Sequence, residues 1–305
     1  MQPSDVEDMV LDGGRDESEI PRPIDKNVID RIVAAALEED ASQTDITTLW
    51  SVPADHLTTA TLIAKQPGVI AGNPLLHAVF AALDSAIEVE TLVPDASAAE
   101  AGQVVARIAG ATRPILTGER AALNFMQRMS GIATLTSRYL AAVAGTGVAI
   151  YDTRKTVPGL RELDKYAVRA GGGTNHRNDL SAMVLLKENH IRAAGGVTPA
   201  VARVRERMRE ASLEKKIDVE VETLAQFDEA LAAGVDMVML DNMTPDDMRT
   251  AVARARGAEF RPLIEASGNI TLESVRAVAE TGVDLISTGS LTHSPDALDL
   301  SLLFV

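Results

Sequence analysis

The sequence contains no cysteine. Disulfide scaffolds, thiolate metal centres and thiol nucleophiles are therefore excluded, and a reducing, cytoplasmic setting fits the chain best. Long hydrophobic runs are also missing: charge interrupts every apolar stretch well before the roughly 18 residues that a membrane span needs. No membrane partner is expected. Positive charge is in deficit, with 29 Lys and Arg against 44 Asp and Glu and a formal net charge of -15. That balance argues against a nucleic-acid partner, because binding a phosphate backbone draws on a basic surface. Any anion site must be a local exception, a few cations focused in a cleft. The first 23 residues carry neither the basic n-region nor the apolar h-region of a signal peptide.

What is present is an ordinary globular balance, 46% hydrophobic and 24% charged over 305 residues. This length holds one sizeable catalytic domain and a smaller companion. Residues 1–23 include Asp5, Glu7, Asp8, Asp12, Asp16, Glu17 and Glu19 with few large apolar side chains, which predicts a disordered acidic tail. From Ile24, the spacing of Val28, Ile29, Ile32, Val33 and Ala36 predicts a helix. Between about His56 and Arg113, the runs 59–65, 88–93 and 103–108 read as strands, with a helix over 74–83 among them. The Ala- and Leu-rich segment Arg120 to Ala144 lacks proline and predicts one or two helices linking this first domain to the second half of the chain.

After Gly147 the pattern becomes regular. Apolar runs at 148–152, 183–187, 217–222, 237–241, 263–267 and 285–287 alternate with helical segments at 199–211, 224–233, 245–255 and 272–281. Such alternation specifies a parallel sheet covered by helices. A complete eight-stranded barrel takes about 250 residues. Fewer strands are readable here, so the fold class is α/β, with an irregular, incompletely closed α/β barrel.

Several of these strands end in polar groups: Asp152, Lys187, Glu220 with Glu222, Asp241, Glu265 with Ser267, and Ser287. One such residue is ordinarily a strand end reaching solvent, but repetition across strands points to a shared mouth, where parallel α/β barrels keep their chemistry. The last two strands run into Ser267-Gly268-Asn269 and Ser287-Thr288-Gly289-Ser290. Small residues at such turns expose backbone N–H groups, and a helix start capped by Thr271 would add partial positive charge, a combination suited to phosphate. Basic residues gather at Asp152-Thr153-Arg154-Lys155 and Asn175-His176-Arg177, with Lys187, His190, Arg120 and Arg128 also available. Arginine forks match carboxylates bidentately, so the cluster could select a dianion. Arg128 has little to distinguish it from a surface ion pair. His56, His77 and His293 have no evident partners and read as satisfied or exposed histidines. Carboxylates facing a phosphate pocket repel the ligand unless a cation intervenes, which makes Glu220 and Asp241 candidate magnesium ligands. Glu222 shares a strand face with Glu220, and spacing alone leaves open which of them reaches the ligand.

The sequence resembles the type II quinolinate phosphoribosyltransferases, the carboxylating nicotinate-nucleotide pyrophosphorylases. The resemblance runs from Leu37-Glu-Glu-Asp-Ala-Ser-Gln-Thr-Asp-Ile-Thr through Gly118-Glu-Arg-Ala-Ala-Leu-Asn to Asp152-Thr-Arg-Lys-Thr-Val-Pro-Gly-Leu-Arg. It continues through Lys165-Tyr-Ala-Val-Arg-Ala-Gly-Gly-Gly-Thr-Asn-His-Arg, Leu185-Leu-Lys-Glu-Asn-His, Asp241-Asn-Met, Glu265-Ala-Ser-Gly-Asn-Ile and Ser287-Thr-Gly-Ser-Leu-Thr-His-Ser. It implies an N-terminal α/β-sandwich domain at 24–130, joined by the returning segment 291–305, and a catalytic barrel at 131–290. It further implies phosphoribosyl transfer from phosphoribosyl pyrophosphate to quinolinate with decarboxylation, Mg²⁺ as cofactor, and a homodimer with shared active sites. On that pattern Arg120 comes from the neighbouring chain and joins Thr153, Arg154, His176 and Arg177 at quinolinate. Lys155 and Lys187 lie near quinolinate and pyrophosphate, and Glu220 and Asp241 bind ribose and the metal. Ser267, Gly268, Asn269, Ser287, Thr288 and Gly289 hold the 5′-phosphate. Thr44, Asp179 and Glu188 depart from the usual family residues, and Asp179 adds negative charge near Arg177. A relative using another aromatic acid, such as the molybdenum-transport-associated homologues, or a non-catalytic phosphoribosyl binder would not need the retained arginines.

Overall fold

The computed structural model describes residues 21–305, so the predicted acidic tail lies outside the described residues apart from 21–23. The chain divides into two compact units. One comprises the described residues up to 137 together with 156–173 and 291–305; the other comprises 138–155 and 174–290.

The first unit is built on a four-stranded antiparallel sheet in the order Leu300–Phe304, Leu57–Ala64, Val104–Ala111, Glu88–Thr91. Along Leu57–Ala64, Ala60, Leu62 and Ala64 are buried while Thr59 and Thr61 are not, the period-two signature of a sheet with one packed face. The helix Lys26–Glu39 buries Ile32, Val33 and Leu37, and Asn73–Leu83 buries Leu75, Leu76, Val79 and Phe80. The first of these begins two residues after the predicted start because the Asp25 carboxylate caps it, accepting from the Asn27 amide at 2.7 Å. A single helix, Thr112–Ala142, replaces the one or two expected from Arg120. Pro114 falls in its first turn, where no helical hydrogen bond is lost, and so extends the helix rather than breaking it. Gly131 on this helix meets the returning C-terminal segment, since a Cβ there would collide with the Asp296 carbonyl oxygen.

In the second unit, six parallel strands run in the order Ala149–Tyr151, Leu285–Ser287, Leu263–Ser267, Met237–Asp241, Ile217–Val221, Val184–Leu186. Every strand falls inside an apolar run read from the sequence, because a parallel sheet covered on both faces tolerates near-continuous hydrophobic strands. No pairing among the described residues joins Ala149–Tyr151 to Val184–Leu186. The expected irregular, incompletely closed α/β barrel is thus observed. Between strands, Leu224–Ala232 is capped by Thr223 and Pro245–Arg256 by Thr244. The second of these places Asp246 and Asp247 in its first turn and Arg254 and Arg256 in its last, matching the helix dipole at both ends.

One face of the sheet carries the functional gradient. Parallel register aligns Leu185, Asp218, Met237 and Leu263, then Glu220, Met239, Glu265 and Leu285, then Asp241 with Ser267. Tyr151, Met183, Met237, Leu263 and Leu285 pack as an apolar floor. Burying each such large side chain contributes about 1.5–3 kcal/mol. Beyond the floor the same face turns polar toward the C-terminal strand ends.

Candidate functional site

The basic loops are anchored by a buried carboxylate. Asp152 accepts from the His176 amide at 2.8 Å and from Asn175 Nδ2 at 2.6 Å, tying residues 174–177 to the end of the strand Ala149–Tyr151. The strand-end charge at Asp152 is therefore engaged as a clamp. Thr153 Oγ1 accepts from the Lys155 amide at 3.0 Å and shapes the turn that carries Arg154, which is half-buried, and Lys155, which is exposed. Arg177 is buried and donates through Nη1 to the Met183 carbonyl at 3.2 Å. Its pKa is lowered first by burial and then by repulsion from Arg154, against the pull of Asp218 and Asp179. The Arg154 Nε is itself buried without a hydrogen-bond partner among the described residues. Two guanidinium groups that repel each other form a site that gains most from an anion carrying more than one negative charge.

Asp179 is exposed, and one oxygen of its carboxylate accepts from the Ser181 amide and hydroxyl, both at 2.7 Å, and from the Ala182 amide at 3.0 Å. These bonds hold its pKa below the usual carboxylate value, with Arg154 a smaller influence. The carboxylate is thus folded into its own turn, and its backbone stays out of the left-handed region.

At the acidic end of the site, Lys187 Nζ lies 3.5 Å from Glu220 Oε2, and the Glu188 amide donates to Glu220 Oε1 at 3.3 Å. Glu222 lies past the end of its strand and is exposed, so of the two glutamates it is Glu220 that meets Lys187. His190 accepts the Lys187 amide at 3.0 Å and serves as local scaffolding. Asp241 is half-buried and accepts from Asn242 Nδ2 at 3.1 Å. Glu220 and Asp241 offer carboxylate oxygens at the ends of neighbouring strands, a donor type that fits magnesium. A second group, His176, Asp218 and Glu265, has ligand atoms within 4.8 Å of one another but is wholly buried and includes an imidazole, which suits a hydrated magnesium ion poorly.

The two glycine loops are joined side by side. Ser287 Oγ meets Ser267 Oγ at 3.1 Å, and the Thr288 amide donates to the Tyr151 carbonyl at 3.1 Å. Gly268 has φ of +87°, and a Cβ there would lie 2.5 Å from the Asn242 side chain. Asn242 in turn donates its amide to the Ser267 carbonyl at 3.0 Å and accepts from Asn269 Nδ2 at 3.0 Å. The expected helix cap at Thr271 is not formed. The helix starts only at Val275 and spans five residues, and the Thr271 carbonyl accepts from the Ser274 and Val275 amides. Small-residue backbone, with little helix dipole behind it, makes this loop.

Arg120 is exposed on the helix Thr112–Ala142, in the first unit. Arg128 is an ion pair, as read, but a partly buried one: its fork meets the fully buried Asp164 at 2.9 and 2.8 Å. His56, His77 and His293 each bond a neighbouring hydroxyl. Two buried acids carry more of the site than strand-end reasoning assigned them. Glu265 bonds Ser287 and His176. Asp218 is fully buried with neither oxygen hydrogen-bonded among the described residues, and burial, then the Glu265 charge, raises its pKa well above the usual value. The available signal was a charge inside an otherwise apolar strand, in phase with the residues at the mouth.

Comparison with known proteins gives consistent matches. Residues 45–130 match the quinolinate phosphoribosyl transferase N-terminal domain, and residues 132–303 match the C-terminal domain of the same family. A probable nicotinate-nucleotide pyrophosphorylase [carboxylating] of Synechocystis sp. is 44% identical over 282 residues, covering 91% of this chain and 93% of that protein. The chloroplastic nicotinate-nucleotide pyrophosphorylase [carboxylating] of Arabidopsis thaliana is 42% identical over 89% of this chain and 81% of its own length. The solved nicotinate-nucleotide pyrophosphorylase from Francisella tularensis superposes with a TM-score of 0.87 at 39% identity, covering 94% of this chain and 99% of that one.

Proposed function

Given that the chain belongs to the quinolinate phosphoribosyltransferase family, we propose that it transfers the phosphoribosyl group of phosphoribosyl pyrophosphate to quinolinate. The products are nicotinate mononucleotide, carbon dioxide and pyrophosphate, the decarboxylating step that leads into NAD in de novo synthesis. The observation that carries this reading is the pair of loops bearing Arg154 and Arg177, tied together by the buried Asp152 at the same sheet end as the Lys187–Glu220 pair and the Gly268 loop. A dicarboxylate reader thus stands beside a phosphate-handling edge.

Arg154 and Arg177, with Thr153, orient the two carboxylates of quinolinate, each charge-assisted bond contributing about 1.5–3 kcal/mol. His176, whose ring nitrogens meet Glu265 and the Arg177 backbone, acts there through Arg177. The Ser267-Gly268-Asn269 and Ser287-Thr288-Gly289 backbones receive the 5′-phosphate, and Glu220 and Asp241 take the ribose hydroxyls. The same two carboxylates would hold Mg²⁺, which when bound neutralises pyrophosphate charge. Lys155 and Lys187 face the leaving pyrophosphate and stabilise the negative charge that grows on it as the C1–O bond breaks. The pyridine nitrogen then bonds C1. Once alkylated, that nitrogen is cationic and stabilises the electron pair left on the adjacent ring carbon when its carboxylate departs as carbon dioxide, and a proton then bonds that carbon. The protein's share is orientation and charge compensation.

We place the reaction in the cytosol, a choice supported by the cysteine-free composition. No described helix is long and apolar enough to cross a membrane. The active form in this reading is a homodimer in which Arg120 of one copy completes the quinolinate site of the other. The test mixes two inactive proteins, Arg120→Ala and Lys187→Ala, and follows carbon dioxide release from carboxyl-labelled quinolinate. Random mixing leaves one intact site in half of the dimers, so activity should recover to roughly a quarter of the wild-type value. No recovery in proven mixed dimers contradicts the shared site.

A further inference from the structure

Building on the quinolinate reading, we propose that Glu265 is a positioning residue that fixes the His176 ring with its proton on Nε2, so that Nδ1 holds the backbone of Arg177. Glu265 is fully buried in the strand Leu263–Ser267, between Met237–Asp241 and Leu285–Ser287. Its Oε1 accepts from Ser287 Oγ, and its Oε2 lies 3.3 Å from His176 Nε2. On the other side of the ring, Nδ1 lies 2.9 Å from the Arg177 backbone nitrogen. A carboxylate only accepts and a backbone N–H only donates, so these two contacts specify one tautomer: proton on Nε2, lone pair on Nδ1.

The ring has little freedom to escape this assignment. It is 4% exposed and stands edge-on to Tyr151 at 6.4 Å between centroids. Its own amide is held by Asp152 at 2.8 Å. A buried chain of contacts thus runs from Glu265 through the imidazole to the backbone of Arg177, whose guanidinium meets the Met183 carbonyl. A second-layer carboxylate that selects a histidine tautomer is a familiar way of orienting the groups that touch a ligand. Here Glu265 touches no substrate; it acts on quinolinate through His176 and Arg177.

The discriminating variant is Glu265→Gln. Its amide offers one acceptor where the carboxylate offered two, so the Ser287 and Nε2 protons can no longer both be accepted, and where the amide nitrogen faces Nε2 the ring moves its proton to Nδ1 and loses the Arg177 contact. Calorimetric titration should show quinolinate affinity reduced about tenfold or more, with phosphoribosyl pyrophosphate affinity changed less than about threefold. In a His176→Ala background the same change should cost less than about twofold, because its route to Arg177 is gone. An independent reading comes from ¹⁵N NMR of wild-type protein, with the His176 signal identified among the five histidines by its loss in His176→Ala. The expected spectrum has the proton on Nε2 and a bare Nδ1. A proton on Nδ1, or equal losses from Glu265→Gln with and without His176, overturns the proposal. Failure of the wild-type protein to bind quinolinate overturns the substrate reading instead, and the tautomer then decides the Glu265 contact by itself.

Discussion

Replacing Arg154 with alanine should lower quinolinate affinity about 100-fold or more, since about two charge-assisted bonds at 1.5–3 kcal/mol each are lost. The fold should not suffer. Arg154 contributes repulsion toward Arg177, and its buried Nε has no hydrogen-bond partner among the described residues, so the free protein loses little by its removal. Thermal melting is expected to stay within a few degrees of wild type, which separates this variant from one that merely unfolds the loop. Titration with quinolinate checks the affinity, and an unchanged dissociation constant would remove Arg154 from the site.

Gly268→Ala is expected to have a comparably large effect at the loop assigned to the 5′-phosphate. The residue sits at φ of +87°, and a methyl group there would press on the Asn242 side chain at 2.5 Å. A non-glycine residue in such a conformation costs on the order of 1–3 kcal/mol. The damage should spread, because Asn242 bonds the Ser267 carbonyl and Asn269, the backbone assigned to the 5′-phosphate. The expected outcome is a rise of about tenfold or more in KM for phosphoribosyl pyrophosphate, read in steady-state kinetics with quinolinate saturating. Gly257→Ala serves as the control. Its added methyl would meet only the Arg254 and Ala253 carbonyl oxygens, at 3.6 and 4.0 Å, so kinetics should match wild type. Equal KM values for Gly268→Ala and wild type would dissociate this loop from phosphate binding.

The sheet of the second unit was legible because its strands are covered on both faces. Runs such as Met237–Asp241 and Leu263–Ser267 therefore stand out as apolar segments fenced by amphipathic helices. The sequence positions of Arg154, Arg177 and Lys187 near strand ends were legible as cation clusters. Other features depend on neighbours distant in sequence. Whether Glu265 faces solvent or His176 is decided by register with the strands on either side, which spacing within its own strand does not contain. Arg128 read as a surface pair because its partner Asp164 lies 36 residues away and is fully buried. The cap expected at Thr271 failed because the chain makes a further turn before Val275, a local preference that a Thr before apolar residues does not reveal. The identity of the dianion was readable only through the family blocks, since paired arginines alone specify charge and spacing.

The decisive measurement for quinolinate as the substrate is the ratio of its kcat/KM to that of nicotinate, taken with phosphoribosyl pyrophosphate and magnesium. A site built around Arg154 and Arg177 rejects a substrate lacking the second carboxylate, because a charge-assisted contact is then lost on partly or fully buried cations. At least about 100-fold preference for quinolinate is expected, with one carbon dioxide and one pyrophosphate released per nicotinate mononucleotide. Turnover of nicotinate equal to or faster than quinolinate, without carbon dioxide release, would contradict it.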